Sequence, residues 1–413
     1  MADISVLEVV LNGQEIGTLA LLAGDRTLFA FNQTHIDDPN RPILSLSFKD
    51  SLGELITNLR PTQTRVPPFF ANLLPEGPLR EYLAQRAGIN VQREFYLLWV
   101  LGRDLPGAVM IRPPDGDAWP PDGDHADDEH ADDDRRTKAL RFSLAGIQLK
   151  FSAVMEATGG LTIPVEGVGG SWIVKLPSSR FEGVPENEYA MMTLAHAVGI
   201  DASEVQLRAL DEISGLPEDI YRLRGSALAV KRFDRTSGGA VHIEDFAQVF
   251  SVYPEDKYKR ASYRNIAEVI WVEVGEGGIA EFVRRLVFNT LIGNTDMHLK
   301  NWSLIYPDGR NAALSPGYDF VSTIPYVADD KMALKYVRSK KMTDLTWDEL
   351  SYFAAKAKLP QKLVLDSARE TVERFHEAWN RERAHLPLPS STIETIDAHV
   401  ATVPLARAQT AAA

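Results

Sequence analysis

The chain has 413 residues, a formal net charge of −13 and no cysteine. That length buries a large core and divides into two or three domains. The acidic balance speaks against gripping nucleic acid over the whole surface, although one basic patch is compatible with it. Without cysteine there is no disulfide, thiolate metal site or cysteine nucleophile, which fits a reducing, cytoplasmic compartment. No apolar run approaches the ~18 residues of a spanning helix, and Met1-Ala2-Asp3-Ile4 has no basic or hydrophobic signal segment. The expectation is a protein with no membrane association. Nine histidines include no HExxH, and His125 and His130 lie in an acidic run that suits solvation better than metal binding.

The first thirty residues predict an antiparallel meander. Residues 6–11, 16–22 and 27–31 are strand-like, and Asn12-Gly13 is a strong hairpin signal. Residues 32–50 are turn-rich, with Pro39 and Pro42. Leu52, Leu55, Ile56 and Leu59 have helical spacing. Val66-Pro67-Pro68-Phe69-Phe70-Ala71-Asn72-Leu73-Leu74-Pro75-Glu76-Gly77 is almost free of charge and reads as a buried connector, followed by helices over 78–87 and 94–100. Composition breaks near residue 112. Residues 122–134 hold eight acids in thirteen positions with no large apolar side chain, as expected of a solvated, disordered loop. Arg135, Arg136, Lys138 and Arg141 follow and can offset those acids.

A second domain begins near Leu140. Ser143-Leu144-Ala145-Gly146-Ile147-Gln148-Leu149-Lys150 is a small-residue turn leading into a strand. Ser171-Trp172-Ile173-Val174-Lys175-Leu176 is a further strand, residues 186–198 a helix, and Ala227-Leu228-Ala229-Val230-Lys231-Arg232-Phe233 a strand that runs into Asp234. From about residue 243 the pattern is mostly helical, with candidates at 263–274, 279–292, 347–357, 361–383 and 393–400. The expected organisation is a strand-rich N-terminal subdomain (1–112), an acidic linker (113–139), an ATP-binding lobe (140–242) and a helical catalytic lobe (243–413). The fold class is α+β, bilobal and protein-kinase-like.

The chemistry concentrates in Gly293-Asn294-Thr295-Asp296-Met297-His298-Leu299-Lys300-Asn301 and in Asp319, which follows Asn301 by eighteen residues. Phosphoryl transfer from ATP needs one Asp to aim the accepting hydroxyl, and an Asn and a second Asp to hold Mg²⁺ against the phosphates. Asp296, Asn301 and Asp319 fit those roles; a loop of caps and turns is the plainer alternative. Lys300 can neutralise the transferring phosphoryl group. His298 can touch phosphate or serve as a buried structural histidine. Lys175 suits the lysine that holds the α and β phosphates, oriented by Glu188 on the following helix; the plainer alternative is a surface lysine on an edge strand. The 143–150 turn, with Ala145, Gly146, Gln148 and Lys150, would cover the phosphates, although it is neither GxGxxG nor Walker A. Residues 230–233 would join the lobes and present backbone to adenine, with their apolar side chains flanking the ring and Asp234 near ribose or phosphate. A strand end with an Asp turn explains the same residues.

These separated motifs, in this order, resemble the HipA-type serine/threonine kinases, the toxins of bacterial toxin–antitoxin modules. The resemblance also takes in the 69–77 stretch, Val174-Lys175-Leu176-Pro177, Asn187-Glu188-Tyr189, Lys231-Arg232-Phe233-Asp234-Arg235 and the segment from Leu314 to Asp319, so it spans nearly the whole chain. It implies Asp296 as catalytic aspartate, Asn301 and Asp319 as magnesium ligands, and Lys175 as the phosphate lysine. Lys231 and Phe233 would lie in the adenine hinge, with Asp234 and His298 contacting nucleotide. Lys231 stands where the family often has an acidic residue, which leaves adenine recognition to the backbone. Ser143 corresponds to the serine whose autophosphorylation ejects the phosphate loop. The resemblance further implies ATP and Mg²⁺ as cofactors and a protein substrate, with aminoacyl-tRNA synthetases among those of the family. It also implies a small dimeric helix-turn-helix antitoxin that carries the binding of operator DNA. Competing readings are a catalytically weak kinase-fold partner of a repressor, disfavoured by the intact Lys175, Asp296, Asn301 and Asp319, and a small-molecule kinase.

Overall fold

The structure, a computed structural model, describes residues 5–114, 150–155, 161–163, 170–178, 180–216 and 225–407. The acidic run and the 143–149 turn, with Ser143, Ala145, Gly146 and Gln148, lie outside the described residues. The chain forms two compact units, each assembled from three segments. The first comprises Met1–Leu176, Arg208–Pro254 and Ile305–Arg310, and the second Pro177–Leu207, Glu255–Leu304 and Asn311–Ala413.

In the first unit, Ser5–Leu11, Gln14–Leu22 and Arg26–Phe31 form the antiparallel meander. Thr62–Gln63 extends it at one edge and Val109–Arg112 at the other. Asn12 and Gly13 take φ of 50° and 79°, the left-handed pair that matches a tight hairpin to strand twist. Alternation delivers Leu7, Val9, Leu11, Leu19 and Phe29 to the core. There they meet Phe48, Phe69 and Phe70, with the Phe29 and Phe70 rings 4.9 Å apart and edge-on. The 66–77 connector is buried as expected, with Pro68–Ala71 as one helical turn. Gly77–Ala87 and Glu94–Leu101 are the following helices, the latter buried on all sides.

The helix anticipated from Leu52, Leu55, Ile56 and Leu59 is not formed. Asp50 Oδ1 accepts from the amides of Leu52 and Glu54 at 2.8 and 2.9 Å, and Gly53 takes φ 84°, so a side-chain-closed turn replaces it. Leu52 is 85% exposed; its spacing with Leu55 does not mark an apolar face.

Five consecutive strands of a six-stranded sheet run in the order Ile213–Ser214, Leu161–Thr162, Lys150–Met155, Trp172–Lys175, Ser226–Lys231. Lys175 pairs with Lys150 on one side and Leu228 on the other, so its strand is central and not an edge.

Glu244 is a buried anchor of this unit. Its carboxylate accepts from Ser45 Oγ at 2.5 Å, Leu46 N at 3.0 Å and Tyr306 Oη at 2.5 Å. Burial pushes its pKa up to about 7, against the pull of those three bonds. His242 stacks on Tyr306 and is pushed down to about 4 by burial, with its bond to Leu44 O working the other way. A carboxyl whose pKa rises on folding gives its full stability below the unfolded value of 4.5 and loses it as pH climbs through about 7. Histidine, depressed on folding, gives stability above its unfolded value and loses it as pH falls towards about 4. Glu244→Gln isolates the first effect. Its stability relative to the parent should rise by about 3 kcal/mol from mildly acidic to mildly alkaline pH. Denaturant melts across that range check this; a pH-independent difference would show that Glu244 does not titrate there.

The second unit is helical: Val184–Val198, Tyr263–Glu273, Glu276–Leu291, Trp347–Lys356, Gln361–Glu382 and Ser390–Thr402. Gln361–Glu382 packs on Glu276–Leu291 and on Val184–Val198. Phe282 stacks on Phe353, and Phe288 meets Phe375 edge-on. Between Phe320 and Trp347, where no helix candidate falls, the chain is irregular apart from the Lys331–Lys341 bridge and a 3-10 turn at Met342–Asp344. No described helix is long and apolar enough to cross a membrane.

Candidate active site

In the second unit, the helix Glu276–Leu291 delivers the polar loop. Gly293 turns the chain at φ 69°, and a Cβ there would lie 2.5 Å from the side chain of Ile324, so only glycine fits. Asn294, fully buried, is the hub of this loop. Its Oδ1 accepts from Asp296 N at 3.0 Å, and its Nδ2 donates to Asn289 Oδ1 at 2.8 Å and to Asp319 O at 3.4 Å. One carboxamide therefore holds together the two acidic segments that are far apart in sequence.

Asp296 is fixed from several sides. Its carbonyl accepts from Asn301 Nδ2 at 2.8 Å and from His298 N at 2.8 Å. Its carboxylate Oδ1 accepts from Tyr258 Oη at 2.6 Å. The Tyr258 ring also meets the buried His298 ring edge-on at 5.0 Å. Tyr263 Oη donates to Met297 O at 2.9 Å, and Tyr318 Oη to Lys300 O at 2.9 Å. Leu299–Asn301 is one 3-10 turn.

Asp319 takes φ 57°, a left-handed conformation that aspartate tolerates better than most residues. Immediately after it, Asn187 clamps Ser322. Ser322 N donates to Asn187 Oδ1 and Asn187 Nδ2 donates to Ser322 O, both at 2.9 Å. Asn187 belongs to the helix Val184–Val198, as does Glu188, itself 5% exposed.

The donor set suits magnesium. Asn301 spends its amide nitrogen on Asp296 O, so its amide oxygen is the atom able to hold a cation. That oxygen and the Asp319 carboxylate would both be oxygen donors, the chemistry a hard divalent cation prefers.

In the first unit, Lys175 is 4% exposed at its central position. Lys150 opens the neighbouring strand; its side chain lies outside the described residues. Lys231 is exposed, with its backbone paired to Trp172 in the sheet, and Phe233 is half-buried. Asp234 is buried and its carboxylate is occupied by protein donors. Arg232 grips it with two bonds, Nε to Oδ1 at 3.0 Å and Nη2 to Oδ2 at 2.9 Å. Arg235 Nη1 adds one at 2.9 Å and Gly107 N another at 2.8 Å. Asp104 Oδ1 completes the network, accepting from Arg232 and Arg235 at 3.1 Å each. Burial alone would raise the Asp234 pKa; the two guanidinium groups and Gly107 N hold it below the usual carboxylate range.

Sequence reasoning does not single out Tyr258, Asn294 and Asn187, which hold the polar loop and the Ser322 segment in the second unit, or Asp104, which completes the arginine network in the first. Asn294 lies in the motif but has the look of a turn residue. Tyr258 precedes Asp296 by 38 positions and has no spacing signal.

A central buried lysine in a small sheet, a loop presenting Asp and Asn from a helical unit, and a second Asp tied to that loop define a kinase-like α+β protein. The HipA N-terminal domain profile matches residues 7–112 and the HipA-like C-terminal domain profile residues 142–379. The chain belongs to the HipA family. It is 58% identical over 410 residues to a Sinorhizobium fredii protein named "Putative kinase Y4dM", covering 98% of this chain and 99% of that protein. To the serine/threonine-protein kinase toxin HipA of Shewanella oneidensis it is 23% identical over 388 residues, 84% of each chain. The solved Shewanella oneidensis complex of HipA, HipB and operator DNA contains a chain that superposes with a TM-score of 0.70 at 20% identity, covering 96% of both. The strand-rich N-terminal part and helical C-terminal part are therefore the HipA fold.

Proposed function

We propose that the chain is an ATP- and Mg²⁺-dependent serine/threonine protein kinase that acts as the toxin of a toxin–antitoxin module. The observation that carries this is the Asn294 clamp, which unites the segments of Asp296, Asn301 and Asp319. In this reading Asp296 accepts and aims the substrate hydroxyl, with Tyr258 fixing the carboxylate's orientation. Asn301 and Asp319 would hold the magnesium ion, whose chemistry when bound would be to neutralise charge on the phosphates. Lys175, oriented by Glu188, holds the α and β phosphates; Lys150 and Lys300 add positive charge, and His298 lines the loop beside the nucleotide. Ala145, Gly146 and Gln148 belong to the loop that covers the phosphates. The backbone at Lys231 and Phe233 receives adenine, while Asp234 holds that hinge in place through Arg232.

Ser143 is the proposed autophosphorylation site. A phosphoserine adds about 1.5 to 2 negative charges beside the triphosphate, which favours an open loop and weaker ATP binding. The partner is a small, dimeric helix-turn-helix antitoxin, through which the kinase joins operator DNA; the likeness to a toxin solved with its antitoxin and operator supports this. The protein substrate falls in the class of cellular translation enzymes, an aminoacyl-tRNA synthetase being the first candidate. One experiment tests the core of the reading: the full chain is incubated with labelled ATP, Mg²⁺ and a cell lysate, and labelled proteins are identified by mass spectrometry. Label on serine or threonine of a discrete protein, and on Ser143, is expected. No transfer to any protein would overturn it.

A further inference from the structure

In the second unit, residues 331–341 fold back on themselves beside the catalytic loop. Lys331 and Lys341 bridge as an antiparallel pair, and Met332 N donates to Lys340 O at 2.8 Å. Met332, Ala333, Leu334 and Tyr336 point inward, each 5% exposed or less. Lys331, Lys335 and Lys341 are exposed, as is Lys259 on the neighbouring segment. Two tyrosines lace this hairpin to the catalytic loop. Lys340 Nζ donates to Tyr258 O at 3.3 Å, and the hydroxyl of that tyrosine reaches Asp296. Tyr263 N donates to Lys335 O at 3.0 Å, and the hydroxyl of that tyrosine reaches Met297. One tyrosine side chain therefore separates the basic hairpin from the aspartate that would receive the acceptor hydroxyl.

The charge on the hairpin is not spent within the protein. Among the described residues, Lys259, Lys331, Lys335 and Lys341 make no ion pair, whereas Arg260 and Arg338 are paired with Asp256 and with Asp348 and Glu349. Asp329 and Asp330, both exposed, immediately precede the hairpin; Asp329 uses a carboxylate oxygen on the amide of Lys331, and among the described residues neither acid forms an ion pair with the lysines. The lysines also feel one another: Lys340 is held below its ordinary pKa by burial first, then by the charges of Lys335 and Lys331, with Asp329 opposing. A concentration of unmet positive charge in a chain of net −13 is the opposite of what composition favours.

We propose that this lysine hairpin is the substrate-docking rim of the kinase and selects protein substrates whose acceptor serine or threonine is flanked by acidic side chains. This rests on the kinase reading above. Steering of an acidic segment by such a rim acts on encounter and on orientation, and falls with salt. The rim fits acidic protein better than RNA. Its cations are lysines, the one aromatic ring of the hairpin, Tyr336, is buried, and there is no stacking face of the kind single-stranded nucleic acid uses.

The test uses the full chain and two serine peptides, one flanked by glutamates and one by glutamines. The expected result is a kcat/KM about tenfold or more higher for the glutamate peptide, shrinking as NaCl rises from about 50 to about 300 mM. The triple variant Lys331→Glu, Lys335→Glu, Lys341→Glu should erase or invert that preference while the KM for ATP stays unchanged. Should charge reversal disturb folding, the corresponding triple lysine-to-glutamine variant should erase the preference alone. Equal rates on the two peptides, or a preference the variants keep, overturns the proposal while leaving the kinase intact. Absence of transfer to any acceptor, including the chain itself, instead overturns the kinase reading on which it rests. Binding of a single-stranded RNA oligonucleotide that the triple variant loses, without a peptide preference, overturns it in favour of nucleic acid.

Discussion

Asp296→Asn is expected to lower kcat for phosphoryl transfer by about 10²- to 10⁴-fold, the usual worth of a positioned general base. Asparagine keeps the shape of the loop. Its amide oxygen can still accept from Tyr258 Oη, its backbone carbonyl still receives Asn301 Nδ2, and its amide N–H still donates to Asn294. What it removes is the negative charge that, in the proposed mechanism, draws the proton from the acceptor hydroxyl and aims that oxygen at phosphorus. Nucleotide affinity should therefore persist, because Asn301 and Asp319 remain where they are. Stopped-assay kinetics together with fluorescent-nucleotide titration separate the two quantities. Transfer at the parent rate would take the base assignment away from Asp296. Loss of ATP binding with loss of transfer would show that the residue shapes the nucleotide site as well.

The second large effect is structural. Asp234→Ala should destabilise the protein by about 3 to 5 kcal/mol, the usual cost of breaking a buried ion pair from one side. The Arg232 side chain is 1% exposed, and Asp234 accounts for two of its bonds. The guanidinium cannot shed its proton, since the acids around it raise its pKa further despite burial. Removing Asp234 leaves that charge buried with Asp104 as its remaining carboxylate, and also strips a partner from Arg235 and from Gly107 N. Because the Asp234 pKa is depressed on folding, its contribution is present above the unfolded value of 3.8 and is lost as pH falls below it. The deficit of the variant should thus be full at neutral pH and shrink in acid. Denaturant melts at neutral and acidic pH check both statements; a deficit under about 1 kcal/mol at neutral pH would mean the network is dispensable. Any fall in ATP affinity is expected to follow from displacement of Lys231 and Phe233, the proposed adenine hinge on either side of Arg232.

Part of this architecture is legible in the residues alone. The meander over residues 5–31 can be read because alternation and Asn12-Gly13 are local signals that agree. The long helices of the second unit can be read because their apolar stripes repeat over several turns. The segment at 52–59 misleads for a related physical reason, since three or four apolar residues at helical spacing carry no information about whether a core faces them. Asp296, Asn301 and Asp319 stand out by residue type and interval. What holds them does not, because Asn294, Asn187 and Tyr258 act through one or two hydrogen bonds to positions 25 to 135 residues away. Asp234 shows the same limit: an acid beside a strand end suggests ribose, and only the structure, with Arg232, Arg235 and, from another segment, Gly107 N donating to its carboxylate, reveals that its oxygens have protein partners.

The order in which the chain is synthesised gives the threading of the two units a temporal meaning. The polypeptide passes from one unit to the other five times, and the last contribution to the first unit is Ile305–Arg310. Tyr306, which closes the bonds around Glu244, lies in that short return. On the ribosome, the first unit therefore stays open at that point until the polar loop at 293–301 has already been made. Neither unit can be expressed as one contiguous fragment, and a truncated translation product that lacks residues beyond Asn301 has neither a finished first unit nor Asp319. A prematurely terminated chain is thus born without a working kinase.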